Sequence, residues 1–290
     1  MKAVHKPVLL KEVLEILQVK PRGRYIDATC GEGGHATAIL EKGGEILCID
    51  QDPSILKRAK SRLNGKVSFA VGNFRDILEL AKENGFTSVD GVLMDLGISS
   101  WHFEESGRGF TFQKDEPLDM RADPTLSVTA ADLLNGLTKN ELEKLFRQLG
   151  EEKRAGKFAR AIVSTRAVRP FSATSELVEV IEKATGTKQK GKLHPATKVF
   201  QALRIAVNDE INSLRSVLPR AFEAIRAGGT LAVISFHSLE DRLVKDYFKD
   251  LEKSGLGEIL TKKPVTPAKD EVESNPRSRS AKLRGIRKIK

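Results

Sequence analysis

The first half of the chain alternates short apolar segments with amphipathic ones. Apolar runs that predict β-strands lie at 24–30, 45–50, 67–71 and 89–95. Helical patterns follow the first three runs, at 36–41, 53–63 and 75–83. The fourth run, VDGVLMD, is apolar enough to be buried on both faces, as parallel strands are. The alternation predicts an α/β fold in which a parallel sheet carries helices on both sides.

The pattern changes after residue 100. Residues 101–123 are irregular and rich in glycine and charge, and from Ser127 onward the periodic segments are helical. Predicted helices follow a capping box at Thr138 and Glu141 and span 151–165 and 175–184. After a basic loop at 185–195, Pro195 begins a single long predicted helix, 195–214. The strand pattern returns only at 229–236, followed by a helix from Ser238. We therefore expect a discontinuous core at 1–114 and 201–290, with an all-helical insertion at 115–200.

Composition narrows the class of protein. Hydrophobic residues make up 40% and charged residues 30% of the 290, which is typical of a globular protein. No apolar run reaches ~18 residues, and charges interrupt the N-terminal segment, so neither a membrane span nor a signal peptide is expected. Two cysteines, Cys30 and Cys48, exclude a disulfide framework, and we interpret them as inert core thiols in a cytoplasmic setting. No metal site is expected, since metal-ligand spacing is missing among His5, His35, His102, His194 and His237.

The net charge of +10 is unevenly distributed. Residues 146–204 carry 13 basic and 5 acidic side chains, net +8, and residues 262–290 carry 10 and 3, net +7. The rest of the chain is then −5. The last segment has little apolar periodicity and is interpreted as a basic C-terminal extension. Two basic segments predict a polyanionic partner, nucleic acid rather than a membrane, and the alternative is solvated helix faces with a loose tail.

Two features point to a nucleoside-containing cofactor. The run GEGGH, from Gly31 to His35, follows the first strand, and Asp50 ends the second. Ligands of open parallel sheets bind beyond the carboxyl ends of the strands. A carboxylate at Asp50 can accept hydrogen bonds from both ribose hydroxyls. The run lacks the G-x-G-x-x-G spacing of dinucleotide sites, and His35 stands where a pyrophosphate needs space, which favours S-adenosylmethionine.

Two further segments fall at the same edge of the predicted sheet. DLGISS, 95–100, leaves the fourth strand where a substrate and the reactive end of the cofactor would meet. Phe236 and His237 follow the returning strand and are suited to stack on a base or hydrogen-bond to it. The alternative for this second segment is a helix cap formed by Ser238 with Asp241.

Several longer motifs run in a fixed order from Pro7 to Arg284. They are DATCGEGGHA, CIDQDP, MDLGISS, RGFTF, PLDMRAD, GEEKRAGKFARAI, HPATKVFQALRIAVNDE, ISFHSLEDR and NPRSRSAKLR. In these motifs the chain resembles the MraW family, the bacterial ribosomal RNA small-subunit methyltransferases H. The resemblance implies a class I (Rossmann-like) methyltransferase core with an inserted helical domain for RNA recognition. It also implies methyl transfer from S-adenosylmethionine to the N4 amine of a cytosine in the decoding region of small-subunit (16S) ribosomal RNA. Free RNA and an assembled subunit, and a monomer and a homodimer, remain open.

The resemblance also assigns residues. It implies that the cofactor contacts are Gly33, Gly34, His35, Asp50, Phe74, Asp95 and His102, the last in place of the family's usual glutamine. Asp95, or a carbonyl within 96–99, is the candidate for orienting the target amine, since the chain lacks the Asn/Asp-Pro-Pro-aromatic motif of many amino-methylating enzymes. Candidate substrate contacts are Ser99, Phe236 and His237. Basic residues of the insertion and the extension would hold the RNA backbone, with 275–284 folding back toward the active site.

Three other functions stay open on the residues alone. One is a methyltransferase of the same fold that acts on DNA, protein or lipid. Another is a nicotinamide-dependent dehydrogenase, which would need a phosphate cradle. The third is an RNA-binding module without catalysis, which the GEGGH run and Asp50 together argue against.

Overall fold

The chain divides into two compact units. A computed structural model describes residues Pro7–Gly186 and His194–Lys290. One unit combines Met1–Gly97 with Ile211–Lys290, and the inserted unit is Ile98–Glu210. The insertion therefore begins before residue 115 and ends after residue 200, the bounds expected from the sequence. His5 and most of the predicted basic loop lie outside the described residues.

A mixed sheet forms the centre of the first unit. Its strands are β1 (Arg24–Asp27), β2 (Glu45–Asp50), β3 (Val67–Val71), β4 (Val89–Asp95), β5 (Ile225–Ser235), β6 (Gly257–Ile259) and β7 (Lys282–Lys288). Within the described residues the strand order is β3-β2-β1-β4-β5-β7-β6. The first five strands are parallel and β7 runs antiparallel to both of its neighbours. The order reverses between β1 and β4, as in doubly wound sheets, and the Rossmann-like fold predicted from the sequence is confirmed.

Helices cover both faces of this sheet. They are α1 (Leu10–Leu17), α2 (Gly34–Glu41), α3 (Pro53–Arg62), α4 (Ile77–Glu83), α11 (Glu210–Ala224), α12 (Ser238–Lys253) and the short α13 (Lys269–Ser274). Side chains of α4, α11 and α12 form one core with Ile26, and those of α1, α2 and α3 form another with Tyr25. Adjacent residues of β1 belong to different cores because side chains alternate across a strand.

The C-terminal segment is part of the sheet, so the prediction of a basic extension is wrong. β7 lies between β5 and β6, and its Leu283 and Ile286 are fully buried. Arg284 Nε donates to Asp241 Oδ1 at 2.7 Å, and Lys288 Nζ donates to the Ile225 carbonyl at 2.7 Å. The charges hid the strand in the sequence, because their partners come from distant parts of the chain.

The inserted unit is helical, as predicted. It contains α5 (Ser100–Glu104), α6 (Ala130–Gly136), α7 (Lys139–Gln148), α8 (Ala155–Arg166), α9 (Thr174–Thr185) and α10 (Thr197–Val207). The predicted capping box is present at the start of α7, where the Glu141 carboxylate accepts the Thr138 N–H at 2.7 Å. The single long helix predicted from Pro195 is wrong, since the chain breaks after α10 and Asp209 adopts a left-handed φ of 47°.

A buried amide ties the irregular segment 101–123 to the inserted unit. Asn208 Oδ1 accepts the Ala122 N–H at 2.8 Å, and its Nδ2 donates to the Met120 carbonyl at 2.8 Å. Gly109 has a φ of 72°, and a Cβ there would lie 2.2 Å from the Pro117 carbonyl oxygen. These contacts join the RGFTF and PLDMRAD motifs to α10, which is why the insertion starts earlier than the helical periodicity indicated.

None of the helices within the described residues is both long and apolar enough to cross a membrane.

The burial of β7 predicts a large effect from one substitution. Leu283→Ala should lower the free energy of unfolding by about 2–5 kcal/mol, because it leaves a cavity at a fully buried position. Ile289→Ala is the matched control: this residue is 48% exposed, and a change within about 0.5 kcal/mol is expected. Denaturant unfolding followed by circular dichroism measures both. Equally small effects would mean that the segment is a loose tail.

Candidate cofactor and active site

Three aspartates lie at one edge of the sheet because three parallel strands end there. Asp27 ends β1 and pairs in register with Cys48 of β2 and Leu93 of β4. Asp50 and Asp95 each stand two residues further along their strands. The Asp95 N–H donates to Thr29 Oγ1 at 2.6 Å, which joins the chain leaving β1 to the end of β4. This edge is the carboxyl end of the parallel strands, where the sequence predicted the site.

The Asp50 carboxylate holds two backbone segments. Oδ2 accepts the Gly31 N–H at 2.9 Å and Oδ1 accepts the Asp52 N–H at 3.0 Å. A carboxylate has about four lone-pair sites, so one that accepts backbone N–H groups can also accept hydroxyl hydrogens. Asp50 can therefore bind a ribose while fixing the glycine-rich turn, a structural role that the sequence did not indicate.

Packing inside the protein requires the glycines of this turn. Gly33 precedes α2 with a φ of 84°, and a Cβ there would lie 3.0 Å from Leu63 Cδ1. A Cβ on Gly34 would lie 3.1 Å from the Cβ of Pro7. Both positions need a small residue even before a ligand is considered, whereas the sequence suggested only a close approach to the cofactor.

His35 is buried beside Asp95 in the first turn of α2. Its Nε2 lies 2.9 Å from the Val8 carbonyl oxygen, an acceptor, so Nε2 carries a hydrogen. Its Nδ1 lies 3.7 Å from Asp95 Oδ2. The structure therefore brings two predicted cofactor residues together.

Burial and like charge govern the protonation of this edge. Burial, with a smaller contribution from the charge of Asp50, raises the pKa of Asp27 to about 7 despite hydrogen bonds from Thr29 that lower it. Burial also raises the pKa of Asp95 well above its usual range, with the charges of Asp27 and Glu240 adding to the effect. One Asp95 oxygen, Oδ1, is buried with no hydrogen-bond partner among the described residues.

Three further predicted site residues, with aromatic or imidazole side chains, belong to the unit that contains the sheet. Phe74 opens a 3₁₀ turn (Phe74–Asp76) after β3 and is half-buried, and Phe236 follows β5. His237 is the N-cap of α12, in a capping box with Glu240. The cap predicted from Ser238 and Asp241 is thus one residue out of place, and Asp241 instead binds Arg284.

Ser99 and His102 belong to the inserted unit. Ser99 Oγ lies 3.1 Å from His102 Nδ1, and His102 is 3% exposed. Its ring packs edge-on against Trp101 and Phe110, with centroids 5.2 and 5.1 Å away. The roles of Ser99 in substrate binding and of His102 in cofactor binding remain predictions.

The two cysteines are buried and form no disulfide with each other, as predicted for core thiols. A hydrogen bond with Cys48 raises the pKa of the Cys30 thiol well above its usual range, and burial adds to the effect.

The chemistry of the edge fits a cationic nucleoside. Asp50 offers acceptors to a ribose, Gly33 and Gly34 bring no side chain to their part of the turn, and the carboxyls of the buried Asp27 and the half-buried Asp95 suit a positive charge. S-adenosylmethionine combines a ribose with a sulfonium cation and has no phosphate. A nicotinamide dinucleotide would place its negatively charged phosphates near these carboxyls, and the like charges would repel.

The MraW methylase family profile matches residues 2–289. The chain belongs to the MraW methylase family. This family depends on S-adenosylmethionine, and the cofactor predicted from the sequence is confirmed.

Curated relatives are similar to this MraW methylase over nearly their full length. "Ribosomal RNA small subunit methyltransferase H" of Heliobacterium modesticaldum is 44% identical over 310 residues, covering 99% of each chain. The protein of the same name from Thermomicrobium roseum is 45% identical over 306 residues, covering 98% of this chain and 94% of its own.

Solved structures that resemble the chain include an rRNA methylase from Streptococcus thermophilus, with a TM-score of 0.48, 10% identity and coverage of 99% and 100%. A putative methyltransferase from Streptococcus mutans in complex with SAH has a TM-score of 0.47 and 12% identity, with coverage of 99% of this chain and 100% of its own.

The double role of Asp50 predicts graded effects on cofactor affinity. Asp50→Ala should weaken S-adenosylmethionine binding at least tenfold, since hydrogen bonds to a charged group contribute about 1.5–3 kcal/mol each. Asp50→Asn retains one acceptor oxygen, so its affinity for S-adenosylmethionine should lie between those of Asp50→Ala and the parent protein. Isothermal titration calorimetry measures both, with Asp246→Ala, a carboxylate 58% exposed on α12, as the control. Unchanged affinity in Asp50→Ala would remove Asp50 from the site.

Proposed function

We propose that this chain transfers a methyl group from S-adenosylmethionine to the N4 amine of a cytosine in the decoding region of small-subunit ribosomal RNA. The observation that carries the proposal is the match to the MraW methylase family over residues 2–289, together with relatives named ribosomal RNA small subunit methyltransferase H. The acidic edge at the ends of β1, β2 and β4 supports it, because it suits a cationic methyl donor.

Asp95 is the residue that orients the amine. The cofactor supplies an electrophilic methyl group on its sulfonium. The N4 amine of cytosine is a weak nucleophile because its lone pair is delocalised into the ring. An ionised Asp95 accepts one N–H of the amine and so directs the lone pair away from the ring. Its buried, unpartnered Oδ1 is the available acceptor among the described residues. Holding nitrogen and methyl in line near ~3 Å contributes several kcal/mol.

Phe236 is a better candidate than His237 for stacking on the target base. The His237 ring lies against Glu240 at the start of α12, where Nδ1 accepts the Glu240 N–H at 3.5 Å, and Nε2, 3.2 Å from Glu240 Oε1, makes no hydrogen bond among the described residues. Phe236 is half-buried and has no such constraint on its ring. The target base must leave its stack to reach the edge of the sheet.

Exposed cations of the inserted unit supply a surface for RNA phosphates. Lys153 stands just before α8, and Lys157 and Arg160 follow within it at helical spacing. All three are exposed, and none forms an ion pair with a described residue. The C-terminal segment is less suited, because Arg284, Arg287 and Lys288 are engaged within their own unit.

Mapping the methylated base tests the proposal. Small-subunit RNA and assembled subunits from cells lacking the activity are incubated with the protein and S-adenosylmethionine, then digested and analysed by mass spectrometry. One added methyl on the N4 amine of a decoding-region cytosine is expected in at least one of the two substrates. A methyl on another base, on DNA or on protein would overturn the substrate assignment and leave the methylase chemistry standing.

Replacing Asp95 should separate catalysis from cofactor binding. Asp95→Asn should lower turnover at least a hundredfold, since an amide cannot accept the amine hydrogen with a full negative charge. The dissociation constant for S-adenosylmethionine should change less than tenfold. Single-turnover kinetics and calorimetry give the two values. An equal loss in both would make Asp95 a cofactor contact alone.

Removing the unpaired cations should flatten the salt dependence of RNA binding. The triple variant Lys153→Gln, Lys157→Gln, Arg160→Gln should reduce the log–log slope by about 2, at roughly 0.7–0.9 for each phosphate that is no longer neutralised. The control is Lys139→Gln with Arg147→Gln on α7, whose side chains both pair with Glu143. Filter binding across salt concentrations compares them. An unchanged slope in the triple variant would place the RNA-binding surface elsewhere.

A further inference from the structure

Two carboxyl groups at the cofactor edge have no cationic ion-pair partner from lysine or arginine among the described residues. Asp27 is 1% exposed, and Thr29 hydrogen-bonds to it, with the Thr29 N–H 3.2 Å from Oδ1. Asp95 Oδ1 is buried without a partner within the same part of the chain. The cation-forming group beside the pair is His35, whose Nδ1 lies 3.7 Å from Asp95 Oδ2.

The other ionisable groups around the pair are mostly acidic. Asp50 approaches Asp27 from β2, and Glu240 approaches Asp95 from α12. Cys30 lies beyond β1 and Cys48 on β2, both buried thiols, and His237 caps α12 beside Glu240. Burial together with like charge raises the pKa of Asp27 to about 7 and that of Asp95 well above its usual range. Near neutral pH the free protein therefore retains protons at this edge.

The substrate and product cofactors differ by one charge. S-adenosylmethionine carries a sulfonium cation, and S-adenosylhomocysteine has a neutral thioether at the same place. A cation at a poorly solvated site interacts strongly with nearby carboxylates and favours their ionised form. The neutral product offers no such compensation.

We propose that Asp27 and Asp95 are specificity-determining residues that favour the cationic S-adenosylmethionine over S-adenosylhomocysteine and release a proton to solvent when the cation binds. Methyl transfer breaks the sulfur–methyl bond and forms the nitrogen–methyl bond, which leaves the sulfur as a neutral thioether and the amine nitrogen with one proton to lose. The pair takes up that proton, and the product is held less tightly. The proposal rests on the cofactor part of the proposed function and not on which base is methylated. Failure of the RNA mapping would therefore leave it intact.

The expected pH dependence has a definite sign. Below pH 7 Asp27 is protonated and the cation gains little from it. Above pH 7 Asp27 ionises, and a bound cation favours the ionised form of Asp95 as well, so the dissociation constant of S-adenosylmethionine should fall about three- to tenfold between pH 6 and pH 8. That of S-adenosylhomocysteine should stay level or rise over the same range.

Calorimetry in two buffers of different ionisation enthalpy measures the proton directly. At pH 7, S-adenosylmethionine should release about half a proton more than S-adenosylhomocysteine. Sinefungin, which carries a protonated amine in place of the methylated sulfur, should behave like S-adenosylmethionine. If sinefungin follows the neutral product, the methyl group and not the charge is recognised, and the proposal is wrong. Equal proton release by substrate and product would also overturn it.

Three variants identify the residues responsible. Asp27→Asn and Asp95→Asn should each reduce the extra proton release by at least half and bring the two dissociation constants closer together. Either variant suffices if the other does not fold, as judged by circular dichroism. The control is Glu32→Gln, which removes a carboxylate of the same turn whose charge is already paired with Arg58 and Arg62. Disappearance of the proton signal in Glu32→Gln, or its retention in both aspartate variants, would assign it elsewhere.

Discussion

Negative charge buried at the carboxyl edge of the sheet is the constraint on which the site depends. Parallel pairing of β1, β2 and β4 brings Asp27, Asp50 and Asp95 to the same edge. Burying carboxylates is unfavourable unless hydrogen bonds or a cation compensate for the lost water. Asp50 obtains two backbone N–H donors, whereas Asp27 and Asp95 have raised pKa values. Neither of these two aspartates has a lysine or arginine partner among the described residues, and His35 lies beside Asp95.

Shared contacts connect the glycine-rich turn to the carboxyl groups at the edge of the sheet. Asp50 anchors the Gly31 N–H, and Gly33 needs its left-handed backbone to begin α2 above Leu63. That geometry sets His35 between the Val8 carbonyl and Asp95. A change in the turn therefore alters ligand contacts and the surroundings of the carboxyls at the same time.

Hydrogen bonds of a buried amide organise part of the inserted unit. The 101–123 segment has little regular secondary structure. The buried Asn208 holds its backbone in place by hydrogen bonds to Met120 and Ala122. Buried polar groups need such partners, and a buried amide with several of them specifies one arrangement of the backbone. The motifs that identify the family in this segment are thereby explained as structural elements of the insertion.

The sequence by itself determined β2, β3 and β4, the capping box of α7, the glycine-rich turn and the position of Asp50 at the end of its strand, because local periodicity and turn chemistry carry these features. Only the tertiary structure decided the rest. β7 is hidden by charges whose partners, such as Asp241, lie about forty residues away, and the break after α10 depends on Asn208 reaching Met120. The raised pKa values of Asp27 and Asp95 likewise arise from burial and from carboxylates on other elements, Asp50 for Asp27 and Asp27 and Glu240 for Asp95, which no local pattern records.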